Sequence, residues 1–360
     1  MKIGVILGTR PEIIKLSALI RLARARRHRF FLVHTGQHFS YGMDKRFFKE
    51  LGLPAPQYRV SRPERMNARQ HTRHMTEAIE RILQRERPTH VLVQGDTNSV
   101  RAGALAASKR NDTVLGHVEA GLRSYDPKMP EEANRIIADH ASHLLFAPTA
   151  AAKKILLGEG IHRGKIFVTG NTIVDAVLQN LALARKSPVP AGLSRGGFFL
   201  MTLHRQENVD HRERLRSILK GLSLVTRKFR RPVFFPIHPR TALRLREFRL
   251  PLPEGVRTLP PAGFLPFLRM EASAGLILTD SGGIQEEACI LRVPCVTLRT
   301  STERPETVEV GANVVAGQSP ERILAACGRM LKAPRRWKNP FGDGRASQQI
   351  LRIILKGHRC

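Results

Sequence analysis

The chain is poor in acid, in cysteine and in long apolar runs, and each shortage excludes something. Its 360 residues hold 30 Asp and Glu against 60 Lys and Arg, a formal charge of +30. Such an excess attracts polyanions at low salt, so a nucleic-acid or acidic-membrane partner has to be weighed. The basic residues are scattered, however, from Arg24-Ala25-Arg26-Arg27 through Arg227-Lys228-Phe229-Arg230-Arg231 to Arg335-Arg336-Trp337-Lys338, with no nucleic-acid-binding motif among them. They read as a solvated basic surface, with no specific nucleic-acid partner expected. The cysteines, Cys289, Cys295, Cys327 and Cys360, stand at none of the close paired spacings of zinc sites or redox motifs. They read as buried, reduced thiols. No stretch approaches the ~18 consecutive apolar residues of a membrane span. The first residues run straight into a strand-like segment without a leader pattern. A soluble, cytoplasmic protein is expected, free of short-period repeats and low-complexity tracts.

What is present is an alternation of short apolar runs with amphipathic stretches. Segments 3–8, 30–34, 90–94, 114–118, 144–147 and 166–169 read as buried strands with helices between them. A second series follows at 198–202, 233–237, 275–279 and 293–298. Parallel α/β sheets covered on both faces follow from this pattern, and the length suits two domains. The expected division is 1–172 and 173–345, with a proline- and glycine-rich linker candidate at 186–192 and a final amphipathic helix at 346–360 packing back on the first domain.

Ligands of open parallel sheets bind beyond the carboxyl ends of the strands, and the unusual residues cluster in those loops. Gly8-Thr9-Arg10-Pro11-Glu12, with Lys15 one turn on, joins a tight turn to a helix start and a cation, the makings of an anion site. Thr279-Asp280-Ser281-Gly282-Gly283 opens a helix with bare N–H groups suited to a diphosphate, and Glu287 lies one turn further, where it can accept from ribose hydroxyls. Three carboxylates, Asp96, Glu119 and Glu131, follow first-half strands. Crowded at one rim, they are expected to raise one another's proton affinity, so that acid and base coexist near neutral pH. Read singly, Asp96 and Glu131 are equally at home as helix-start residues. His204 and His238 follow strands of the second half without a second His or Cys at ligand spacing, so no metal is expected. Arg304, in Glu303-Arg304-Pro305-Glu306-Thr307, reads alone as a surface salt-bridge arginine and with the rest as a phosphate clamp facing Arg10.

Taken together these segments resemble the non-hydrolysing UDP-N-acetylglucosamine 2-epimerase family in its archaeal-like subgroup. Also matching are His34-Thr35-Gly36-Gln37-His38, Gln94-Gly95-Asp96-Thr97, His117-Val118-Glu119-Ala120-Gly121-Leu122-Arg123, Pro130-Glu131-Glu132-Ala133-Asn134-Arg135 and Gly170-Asn171-Thr172-Ile173-Val174-Asp175. Two segments depart from the family's usual spelling: Gln37-His38-Phe39-Ser40-Tyr41-Gly42-Met43, and the basic run 62–69. The resemblance implies two Rossmann-like domains with a cleft between them, of the glycosyltransferase B type. It also implies a homodimer that needs no cofactor and no metal. Arg10, Lys15, Arg135, His204, Ser281, Gly282, Gly283, Glu287 and Arg304 would bind the UDP-sugar; Asp96, Glu119, Glu131 and His204 would serve catalysis. The implied reaction interconverts UDP-GlcNAc and UDP-ManNAc through 2-acetamidoglucal. A UDP-2,3-diacetamido uronic acid epimerase and a glycosyltransferase of the same fold are the alternatives.

Overall fold

The computed structural model describes residues 1–37, 47–61, 66–127, 129–189 and 193–356, with the side chain of Ala68 left aside. The motif residues His38 to Met43, the first half of the basic run (62–65), linker residues Pro190-Ala191-Gly192 and Cys360 lie outside the described residues. The chain forms two compact units, Met1–Gln179 with Phe341–Cys360, and Asn180–Pro340.

The first unit is built on a seven-stranded sheet: β1 Lys2–Leu7, β2 Arg29–His34, β3 Tyr58–Arg59, β4 His90–Gln94, β5 Val114–Val118, β6 Leu144–Ala147 and β7 Ile166–Val168. Their spatial order is β3-β2-β1-β4-β5-β6-β7, and every pairing is parallel, with Ile3 opposite both Phe30 and His90. The second unit repeats the plan with β8 Phe199–Thr202, β9 Val233–Pro236, β10 Val256–Leu259, β11 Leu276–Thr279, β12 Cys295–Thr297 and β13 Asn313–Val315, in the order β10-β9-β8-β11-β12-β13. Both are Rossmann-like arrangements in which strand order reverses beside the first strand. The crevice of each unit therefore opens beyond β1 and β4, and beyond β8 and β11.

Burial explains why these segments are strands. Val5, Ile6, Leu7, Leu32, Val33, Val91, Leu92 and Val93 are all buried, pointing to both faces of the first sheet. In the second unit Phe199, Met201, Leu276 and Leu278 join one apolar cluster, while Phe198, Leu200 and Ile277 join another on the opposite face. Short edge strands escaped the sequence reading. β3 has two residues, β10 is half-exposed along its whole length, and β13 has three residues of which one is buried.

The segment from Phe341 onward belongs to the first unit, and Asp175 shows how it is held. Its carboxylate accepts from the backbone N–H groups of Ala346 (3.2 Å) and Ser347 (2.8 Å), capping the helix Ala346–Leu355. Asn171 N–H donates to the Phe341 carbonyl at 2.8 Å. Gly170, at φ +83°, lies so close that a Cβ would sit 2.9 Å from that carbonyl oxygen. The Gly170-to-Asp175 motif is thus a docking strip for the returning chain.

No helix among the described residues is long and apolar enough to cross a membrane, and none of their His, Cys, Asp and Glu groups could hold a metal ion. Cys289, Cys295 and Cys327 are buried free thiols. Burial raises all three, Cys289 and Cys327 to about 12, which leaves them protonated and inert.

Candidate active site

Each crevice is stitched across its switch point by one buried carboxylate. In the first unit it is Glu12, whose Oε2 accepts from the N–H groups of Gly8 (2.6 Å) and Thr9 (2.7 Å) and whose Oε1 accepts from the Thr97 hydroxyl. The loop after β1 is thereby tied to the loop after β4. Gly8 is required there, since a Cβ would meet Thr35 Oγ1 at 1.9 Å and Ser99 Oγ at 2.3 Å. Burial pushes Glu12 up to about 7 against the three hydrogen bonds, which favour its anion.

In the second unit the stitch is Asp280, fully buried. It accepts from the N–H groups of His204 (3.1 and 3.0 Å) and Arg205 (2.9 Å) and from Asn208 Nδ2 (3.2 Å), tying the loop after β8 to the one after β11. Neither stitching role was foreseen from the sequence. The signal available was a carboxylate beside each glycine-bearing turn.

The three rim carboxylates of the first unit have different surroundings. Glu119 is buried, takes the left-handed conformation at φ +70°, and receives both oxygens' bonds from Lys15 Nζ at 2.8 and 2.6 Å plus one from Gln94 Nε2 at 2.6 Å. Asp96, on the loop after β4, is held by Arg135 through Nε at 3.0 Å and Nη2 at 2.6 Å, yet its side chain is a third exposed. Glu131 stands in the first turn of the helix Pro130–Ala141, half-buried, and makes no hydrogen bond or ion pair among the described residues. Two members of the trio are thus each paired with a cation, Glu119 with Lys15 and Asp96 with Arg135. Arg135, expected as a ligand contact, is engaged with Asp96 and, through Nη1 at 2.7 Å, with Glu132. Arg10 stacks its guanidinium 4.4 Å from the Phe47 ring centre.

The second unit offers a bare helix start. Gly282 and Gly283 open the helix Gly282–Leu291 behind Ser281, whose side chain makes no cap. A Cβ on Gly282 would find Glu303 Oε2 at 3.7 Å and Arg304 Cζ at 4.0 Å, and one on Gly283 only Ser281 Oγ at 3.9 Å. These glycines are not demanded by packing, and they put no side chain of their own over the first-turn N–H groups, although Gly282 is buried. Arg304 lies alongside, buried and bound to Glu286 through Nε at 2.6 Å and to the Glu303 carbonyl through Nη1 at 3.0 Å; it is no surface arginine. Glu303 in turn is clasped by Arg299 at 2.7 and 3.0 Å. Burial opposes its ionisation, but that clasp prevails and holds it down at about 2. Arg299, which also reaches Glu207 at 2.6 Å, was not foreseen.

His204 is partly exposed, its Nε2 3.9 Å from Asp280, and burial holds its ring below the ordinary histidine value despite that carboxylate. The neighbouring His238 ring lies 5.9 Å away. Glu287 is buried one turn into the helix, close to Glu271. Glu271 is fully buried, and burial together with the neighbouring Glu287 raises it well above the usual carboxylate range.

A family model described as UDP-N-acetylglucosamine 2-epimerase matches residues 21–355, which leaves Arg10 and Lys15 outside the match. The UDP-N-acetylglucosamine 2-epimerase of Methanocaldococcus jannaschii is 51% identical over 99% of this chain and 100% of its own length. The UDP-2,3-diacetamido-2,3-dideoxy-D-glucuronate 2-epimerase of Pseudomonas aeruginosa is 40% identical over 99% and 100%. Among solved structures, the M. jannaschii UDP-GlcNAc 2-epimerase in complex with UDP-GlcNAc and UDP superposes with a TM-score of 0.89 at 50% identity, covering 99% of this chain and 100% of that one. The Neisseria meningitidis enzyme bound to UDP-GlcNAc gives 0.86 at 31%, covering 99% and 100%. Two Rossmann-like units on one chain are the glycosyltransferase B type of fold, and with this likeness along nearly its whole length the chain belongs to the UDP-N-acetylglucosamine 2-epimerase family.

Proposed function

We propose that the protein is an isomerase that inverts C2 of UDP-N-acetylglucosamine, giving UDP-ManNAc, without hydrolysing the nucleotide sugar. The observation that carries this reading is the pairing, on a chain half identical to an archaeal epimerase of that name, of an anion-ready helix start at Ser281-Gly282-Gly283 with partly open carboxylates at Asp96 and Glu131.

The chemistry requires both parts. The C2–H of the sugar has no adjacent carbonyl to acidify it. Departure of UDP from C1 leaves an oxocarbenium-like centre that does, and a carboxylate can then take the proton, giving 2-acetamidoglucal and UDP. The N–H groups of the Gly282–Leu291 helix start, with Arg304 beside them, stabilise the diphosphate as its charge develops. His204, held neutral, hydrogen-bonds the departing phosphate, and Arg10 adds positive charge. Glu287 accepts from the ribose hydroxyls.

Inversion needs a proton removed from one face of C2 and returned to the other, hence two exchanging groups. Asp96 and Glu131 suit these roles because both reach the solvent-facing rim. Glu119 is buried against Lys15 and supports the other two as a fixed charge; Lys15 and Arg135 orient the carboxylates next to the bound sugar. Neither a cofactor nor a metal enters any step. We further place the enzyme in the cytoplasm as a homodimer, following the soluble reading of the sequence and the family resemblance.

Turnover of UDP-N-acetylglucosamine in deuterated water tests the reading. Deuterium at C2 of both sugars is expected. A recovered sugar free of label, or turnover confined to the 2,3-diacetamido uronic acid substrate, overturns it.

A further inference from the structure

His117 is a buried histidine of the first unit whose two ring nitrogens both face acceptors. It lies on β5 and is completely buried. Its Nδ1 is 2.7 Å from Asp139 Oδ1, and its Nε2 is 2.8 Å from the carbonyl oxygen of Gly95. A carbonyl oxygen can only accept, and a neutral imidazole has one N–H to give. In the neutral form one of these two contacts would set lone pair against lone pair in a dry interior, at the cost of an unsatisfied buried group. The geometry therefore points to an imidazolium that donates through both nitrogens and fixes the two acid-bearing loops of the site.

The links to those loops are short. Gly95, whose carbonyl receives the Nε2 proton, precedes Asp96 in the chain and sits at φ +85°. Asp139, on the helix Pro130–Ala141, receives the Nδ1 proton on one oxygen; its other oxygen accepts from Gly121 N–H (3.2 Å) and pairs with Arg123 Nη1 (2.7 Å). Gly121 follows Glu119 by two residues, in a stretch too tight for a side chain: a Cβ there would lie 2.5 Å from the Ala152 carbonyl oxygen. Arg123 also holds Glu159 in a forked pair at 2.7 and 2.6 Å. With the proton on His117, two cations, His117 and Arg123, face the carboxylates of Asp139 and the partly exposed Glu159.

The charged groups facing the ring are Asp139 and Glu119. Burial works against its charge, and the two carboxylates with the Gly95 carbonyl outweigh burial and raise it. Asp139 is held low, burial notwithstanding, by His117 and Arg123.

His117 is a positioning residue. It touches neither Asp96 nor Glu119 by hydrogen bond, but it holds the peptide carbonyl next to one and, through Asp139, the backbone two residues beyond the other. What those acids do rests on the epimerase reading; the protonation state of His117 does not, so the two can fail separately. A displacement of ~1 Å in a catalytic group can cost about 100-fold in rate.

The first measurement is nitrogen NMR of the full-length protein labelled with ¹⁵N-histidine, with His117 assigned by comparison with H117Q. At pH 8 both ring nitrogens of His117 should carry a proton; one bare nitrogen overturns the inference. The second is kinetic. Gln cannot donate from opposite ends as the ring does, so H117Q should lose about 10- to 100-fold in kcat with KM and UDP affinity within about two-fold. A kcat within two-fold of the wild type overturns the positioning role even if the ring is charged. Should H117Q not fold, the His117 ring signals are assigned instead by their shift in D139N. The NMR result on the unaltered protein then stands as the test.

Discussion

Glu12→Gln isolates what it costs to keep a carboxylate under the first loop. Gln is isosteric with the protonated acid: its Oε1 can accept from the Gly8 and Thr9 N–H groups, and its Nε2 can donate to Thr97, whose hydroxyl rotates to receive it. The variant therefore mimics the protonated enzyme at every pH. In the wild type Glu12 is raised from 4.5 to about 7 by burial. Between these values the folded protein binds more protons than the unfolded chain, so stability falls as pH rises through this window. The shift corresponds to about 3 kcal/mol, gained by E12Q relative to the wild type between pH 4.5 and pH 8. At ~2–4 °C per kcal/mol for units of this size, the two melting curves should separate by roughly 6–12 °C at pH 8 and converge near pH 4.5. Thermal melts followed by far-UV circular dichroism across that range measure the difference, while the general repulsion of a +30 chain affects both proteins alike. Parallel pH profiles would show that the three hydrogen bonds suffice to keep Glu12 ionised, and the reasoning from burial would be wrong.

Three further outcomes are expected. Gly282→Ala has room for its methyl group and should keep or slightly raise stability, while covering the helix start and weakening UDP binding by about 10-fold or more in calorimetric titration. Glu131→Gln and Asp96→Asn should each lower turnover by ~100-fold with UDP affinity retained, and near-normal rates in both would remove them from the proton path. Glu303 is held at about 2, so it contributes stability above its ordinary value of 4.5 that is lost as pH falls toward 2; acid unfolding of E303Q should lack that component, starting from a lower plateau.

Much of the fold was legible because fully buried parallel strands are runs of apolar residues closed by a turn. His90–Gln94, Val114–Val118 and Leu144–Ala147 announce themselves in this way. Tyr58–Arg59, Val256–Leu259 and Asn313–Val315 do not, since edge strands pair on one side and need little apolar surface. Within the site, sequence order reveals which residues follow strands, and so Asp96, Glu119, Ser281 and Arg304 could be named. It does not reveal partners. Lys15 and Glu119 are 104 positions apart, and nothing local marks them as an ion pair or shows that Glu131 lacks one among the described residues. The same limit hid Glu12 and Asp280, which read as ordinary members of their motifs, and Asp139, which stands in none; all three act by holding backbone across long sequence separations.

The docking of the final helix on Asp175 has a consequence for how the molecule is made. Ala346 and Ser347 reach that carboxylate across 171 and 172 positions, so the half of the protein that leaves the ribosome first is also the half completed last. While Asn180–Pro340 can assemble from contiguous chain, the earlier half waits with an uncovered apolar surface at Ile3, Val5, Leu19 and Ile20, against which Leu351 finally settles. Nascent chains stalled shortly before residue 341 should therefore recruit chaperones and be cleaved readily by protease in the leading half, and extending them through residue 360 with a linker that clears the ribosome should abolish both.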